Sequence, residues 1–235
     1  MKKTLPTLRY LFKSSRGWIV IGFLVILVTV AVTDLVYNFT SRHGVVQQVV
    51  SLTVPFEFTA AVFSLLIGLV LFISSFKVAL ANGVSRKTFL LANLLAAGIA
   101  AAAFSIFNLV VVLVHGLFWP VIMISQIMYP FISWPWLLIL QFAGYLLVVI
   151  AGWLIALAYY RSSNFGKSIL SLAPIAVIAI LQVANARSGG ALFAAISQYQ
   201  SITMRMDRAP FTMLAYAAIL CGLVYLLLRR APLKY

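Results

Sequence analysis

Carboxylates are scarce in this chain. Asp34, Glu57 and Asp207 are its three acids, against 17 Lys and Arg in 235 residues. Proton- and sodium-coupled carriers usually need an Asp or Glu inside the membrane to take up and release the ion. Asp34 is expected near the outer end of the first apolar run and Glu57 at the start of the second, so ion coupling loses its natural residue. Histidine is almost as rare. His43 and His115 make no metal motif, and no pair of Asp residues or Ser/His arrangement offers hydrolytic chemistry, so neither an enzyme nor a metal site is expected. The single cysteine, Cys221, lies inside an apolar run, which excludes an internal disulfide and reads as an inert buried thiol. No Gly-x-x-x-x-Gly-Lys-Ser/Thr phosphate loop occurs, so any ATP must be held by another chain.

What the chain has instead is apolar length: 64% of its residues are hydrophobic and 9% charged. One soluble core could not hide that much apolar surface. Runs of about 20 residues almost without charge are the pattern of transmembrane helices, which satisfy their own backbone groups in lipid. A β-barrel would alternate apolar and polar positions, and no such alternation occurs. The fold class is therefore an all-α polytopic membrane protein forming a single transmembrane domain over residues 1–235. Six spans are expected at about 17–36, 58–76, 89–114, 136–159, 168–186 and 211–228.

Residues 2–16 precede the first span. Leu5, Leu8, Leu11 and Phe12 share one helical face, while Arg9, Lys13 and Arg16 follow another, which predicts an amphipathic elbow helix on the membrane surface. The third span is rich in small residues, among them Ala92, Ala96, Ala97, Gly98 and Ala100 to Ala103, which let helix backbones approach closely. Asn93 and Asn108 in that span and Gln141 in the fourth are amides that either line a cargo path or bond between helices. Residues 115–135 hold five aromatics and three prolines, which predicts an interfacial or re-entrant piece at the outer face. Pro174 interrupts the fifth span, and Arg205 to Arg208 read as a short outer helix.

Six spans put both termini on one side. Taking that side as cytoplasmic gathers thirteen of the basic residues there and no acid, leaving four basic and three acidic residues outside. Such a split obeys the positive-inside rule, and it explains the net charge of +14 without nucleic acid. The stretch Phe76–Phe89, between the second and third spans, then faces the cytoplasm. Lys77 to Asn82 should continue the second span's helix. Gly83 supplies a left-handed C-cap and Ser85 an N-cap for the next helix, with Leu80 and Val84 available for contact.

This stretch, with its Ala-Asn-Gly-Val-Ser-Arg-Lys-Thr-Phe core, resembles the first cytoplasmic loop of small six-span permease subunits of type-two ABC exporters. The elbow, the six spans and the outer helical segment before the last span follow the family's order along nearly the whole chain. The family pattern often carries an acidic residue near Asn82, which is absent here. The resemblance implies a second permease subunit, identical or homologous, and a separate ATPase subunit that holds ATP and Mg, with no cofactor on this chain itself. It implies that Lys77, Leu80, Ala81, Asn82, Gly83, Val84, Ser85 and Arg86 form the ATPase-coupling contact, with Arg161, Asn164 and Lys167 as a second, smaller one. Permeases of this build resemble exporters of phenol-soluble modulins and other antimicrobial peptides in the bacterial cell membrane. Two other readings remain open at this point: a membrane-embedded immunity or accessory protein that binds a partner without transport, and an ion-independent carrier or channel.

Overall fold

The computed structural model describes residues 17, 19–32, 56–117, 125, 129, 132–188, 191, 194–195, 198, 205 and 207–229. Among them are helices α1 (Ile19–Val32), α2 (Phe56–Ala81), α3 (Arg86–Gly116), α4 (Trp134–Arg161), α5 (Asn164–Arg187) and α6 (Ala209–Arg229), and no strand occurs among the described residues. The chain is a membrane-type helical protein: α2, α3, α4 and α6 are each long and apolar enough to cross a bilayer. The first expected span coincides with the shorter apolar helix α1. The fifth coincides with α5, which continues as one helix through Pro174. The amphipathic helix expected at 2–16, the outer loop around Arg42 and His43, and most of 118–131 lie outside the described residues. Arg205, Asp207 and Arg208 form a turn rather than a separate helix. The Arg208 and Ala209 amides donate to the Arg205 carbonyl at 2.9 and 2.7 Å and lead straight into α6.

α4 is the hub, packed against α2, α6, α3 and, lightly, α5. Its closest neighbour is α2, where Gly68 faces Gly152. A Cβ built on Gly68 would sit 2.3 Å from the Val149 carbonyl oxygen, and one on Gly152 would sit 2.8 Å from the Leu65 oxygen. The two backbones therefore touch directly, the close approach that small residues allow between helices in lipid.

α3 shows the same logic across its width. Ala92, Ala97, Ala100 and Ala101 are buried, while Leu91, Leu95, Ile99, Ile106 and Val110 point outward. The bulky aliphatics face the surroundings and the small residues face the bundle, the arrangement expected where the solvent is hydrocarbon and packing drives association. Gly98, by contrast, faces open space.

Two aromatic clusters fill the interior. Phe72 stacks on Trp153 (centroids 5.2 Å apart), and Phe89 packs against both Phe72 and Phe76, fastening the ends of α2 and α3 to α4. Towards the opposite end, Phe23 of α1 stacks on Phe107 at 4.2 Å and meets Phe104 edge-on. Such ring pairs add about 0.5–1.5 kcal/mol each beyond area burial.

Candidate functional site: the α2–α3 turn and the polar positions of the bundle

The residues between α2 and α3 fold into a helix stop and a helix start set back to back. Gly83 has φ 67°, a left-handed conformation that glycine adopts without steric cost. Its N–H donates to the Leu80 carbonyl at 2.9 Å, and the Val84 N–H donates to that of Ala79 at 3.0 Å. This is the Schellman pairing, which satisfies carbonyls that the end of α2 leaves without helical partners. The Asn82 side-chain amide adds a bond to the Val78 carbonyl at 2.8 Å. Two residues later Ser85 caps α3: its hydroxyl accepts from the Thr88 N–H at 3.2 Å and lies 2.8 Å from the Thr88 hydroxyl. The C-cap and N-cap expected of Gly83 and Ser85 are both present.

The turn's surface differs from the sequence expectation. Leu80 and Val84 are half-buried against the Phe72–Phe76–Phe89 cluster rather than offered outward. The cause is the Schellman geometry, which brings the residue after Gly83 back over the last turn of α2. Exposed on the turn are Lys77, Ala81, Asn82, Gly83, Ser85 and Lys87; the last of these was not among the coupling residues expected from sequence. Lys77 lies 5.7 Å from the centroid of the Tyr160 ring, over its face, a cation–π contact that ties α2 to α4.

Arg86 has a role within the chain. Its Nη1 donates to the Leu228 carbonyl at 3.0 Å and to that of Arg229. Arg161, at the end of α4, donates to the Leu227 carbonyl at 3.0 Å. Both guanidinium groups thus cap the C-terminus of α6, where orphan carbonyls and the negative end of the helix dipole attract cations. Two turns distant in sequence are fastened to one helix end. The α4–α5 turn is itself built from a serine pair. Ser162 donates from its amide and its hydroxyl to the Ala158 carbonyl at 3.1 and 2.7 Å, and Ser163 accepts from the Gly166 N–H at 3.2 Å. Asn164 is the first residue of α5, and Lys167 is exposed a turn further on.

The three amides have separate partners. Asn93 is buried and donates to the Phe89 carbonyl of its own helix at 3.0 Å. It borders a pocket of about 30 Å³ between α2, α3 and α4, room for a water molecule rather than a cargo. Asn108 is fully buried and its amide donates to the Tyr145 hydroxyl, a bond between α3 and α4. Gln141 donates to Glu57 at 2.7 Å.

That last contact draws Glu57, expected at the start of the second span, against α4. Its carboxylate also accepts from the Ser125 N–H at 2.9 Å and from the Ser125 hydroxyl. Glu57 belongs to the first turn of α2 and is half-buried. Sequence spacing gives no sign of this group, because Glu57, Ser125 and Gln141 come from three distant segments.

No family model, no curated protein and no solved structure matches the chain. The class of the molecule therefore rests on its own helices.

Proposed function

We propose that the chain is the membrane permease subunit of an ATP-driven exporter, a six-span protein of the bacterial cell membrane with both termini in the cytoplasm. In this reading it moves amphipathic peptides or similar hydrophobic cargo out of the cell. Its partners are a second permease subunit and a separate ATPase that binds ATP and Mg. The observation that carries the reading is the α2–α3 turn. Its backbone is locked by caps on both sides, its polar surface is exposed, and Arg86 links it rigidly to the end of α6.

A stiff knuckle of this kind is what a partner's movement could push without being absorbed by loop flexibility. Closure of the ATPase on ATP would shift the turn, and the Arg86 and Arg161 contacts would carry that shift to α6, tilting the spans between inward- and outward-open forms. The amides do not argue for a polar passage within one copy, since each is engaged inside the bundle; an apolar route suits amphipathic cargo.

Ala81 is the position for the test, since it is exposed on the knuckle and takes no part in the caps or the arginine contacts. An Ala81→Arg variant is expected to purify as wild type yet to lose association with the ATPase and cargo-stimulated hydrolysis. If both survive at wild-type level, the α2–α3 turn is not the coupling contact.

A further inference from the structure

The group around Glu57 has the chemistry of an ion site. α4 runs from Trp134 to Arg161, so Gln141 lies roughly 10 Å and Tyr145 roughly 16 Å along its axis at 1.5 Å per residue. A helix of 28 residues exceeds the ~30 Å hydrocarbon layer. If α4 is centred on that layer, Gln141 is just inside its edge and Tyr145 well within it. Glu57 meets Gln141 at this depth. An ionisable side chain held there is costly to keep without compensation.

The compensation present is dipolar only. The carboxylate accepts one bond each from the Ser125 amide, the Ser125 hydroxyl and the Gln141 amide, and among the described residues no Lys, Arg or His is paired with it. The Ser125 hydroxyl touches it, the Gln141 side chain that donates to it also carries an oxygen, and one turn further along α4 stands the Tyr145 hydroxyl bonded to Asn108. Gln141, Tyr145 and Asn108 are 6%, 4% and 0% exposed. The Asn108 amide oxygen is buried without a hydrogen-bond partner. As placed, this oxygen is an unmet buried acceptor, a cost of about 1–3 kcal/mol. One formal negative charge, a set of hard oxygen donors and an unmet buried amide describe a place for a single positive charge.

We propose that Glu57, Ser125, Gln141, Tyr145 and Asn108 form a binding site for one monovalent cation at the end of the bundle opposite the α2–α3 turn. The single carboxylate matches one unit of charge; a divalent ion would remain half-neutralised. The occupant is an alkali ion or the primary ammonium group of a cargo molecule, which offer the site the same charge. On this basis a positive charge does have a carboxylate inside the bundle, contrary to the sequence expectation. The inference stands on this group of side chains; only the identity of an ammonium occupant as cargo rests on the exporter reading.

The test is the thermal stability of the full chain, purified in detergent in choline chloride and titrated separately with NaCl, KCl and methylammonium chloride. Wild type is expected to show a saturable rise in melting temperature with at least one of the three. That rise should vanish in Glu57→Gln and persist in Glu57→Asp. In Gln141→Leu it should need about tenfold more ion, the loss expected on removing one ligand of a charged group. Response to the sodium and potassium salts alone assigns an alkali ion; response to methylammonium alone assigns an ammonium group. A wild type indifferent to all three, or a Glu57→Gln variant that keeps the full response, overturns the site. Should Glu57→Gln fail to give a monodisperse protein, an unaltered half-saturation in Gln141→Leu has the same force.

Discussion

The crossing of α2 and α4 is where one methyl group should matter most. Replacing Gly68 with Ala places a Cβ 2.3 Å from the Val149 carbonyl oxygen and 3.1 Å from Gly152 Cα, whereas ordinary contact begins at 3.4 Å. The obstacle is backbone on both sides, so no rotamer change relieves it, and the helices must part locally by about 1 Å. Overpacking of this sort costs typically ~1–3 kcal/mol, and a backbone obstacle belongs at the upper end. For a chain of this size that lowers the melting temperature by about 4–12 °C. Two other glycines calibrate the figure. A Cβ on Gly22 meets only the edge of the Phe104 ring at 2.9 Å and that of Phe63 at 3.3 Å, and one on Gly98 meets nothing within 4 Å. Thermal unfolding of the three alanine variants in detergent should therefore rank Gly68 well below Gly22, with Gly98 within about 0.5 kcal/mol of wild type. A Gly68→Ala protein as stable as Gly98→Ala would refute the direct backbone contact.

Further predictions concern the turn. Gly83→Val should destabilise by about 1–2 kcal/mol through its left-handed backbone, with Gly83→Asn costing less, and urea or thermal unfolding in mild detergent would show whether that order is reversed. Arg86→Met should cost about 1–2 kcal/mol by uncapping α6, and it should speed hydrogen exchange at the end of that helix; unchanged exchange there would mean that the guanidinium is not the cap. Arg86→Lys should restore only part of the protection, since one ammonium replaces a planar fork able to reach two carbonyls.

The helices were legible because their cause is local. Apolar runs bounded by Pro55, Gly83 and Arg161 announce α2, α3 and α4, and the caps at Gly83 and Ser85 depend on residues within one turn of chain. What escaped was non-local. The alanines of the third span suggest close packing, but the direct backbone contact of α2 with α4 belongs to Gly68 and Gly152, two lone glycines whose meeting depends on how the helices cross. Glu57 stands at the start of the second span as expected, but nothing near it in sequence shows that Gln141 and Ser125 bind it. The contact of Arg86 with the end of α6 is equally hidden, since the carbonyls it serves lie 142 residues further on. Leu80 and Val84 are half-buried, Val84 because the Schellman turn folds it back over the end of α2.

The clasp on α6 also bears on how the chain is assembled. Synthesis runs from the N-terminus, so Arg86 and Arg161 are delivered long before the carbonyls they hold. Those acceptors follow 142 and 66 residues later. Until Leu227 to Arg229 arrive, α2 to α5 can insert and pair, but both guanidinium groups wait in solvent or on lipid headgroups. Arrival of α6 then closes both contacts together. A chain interrupted before Leu227 would lack both of these contacts at its turn end.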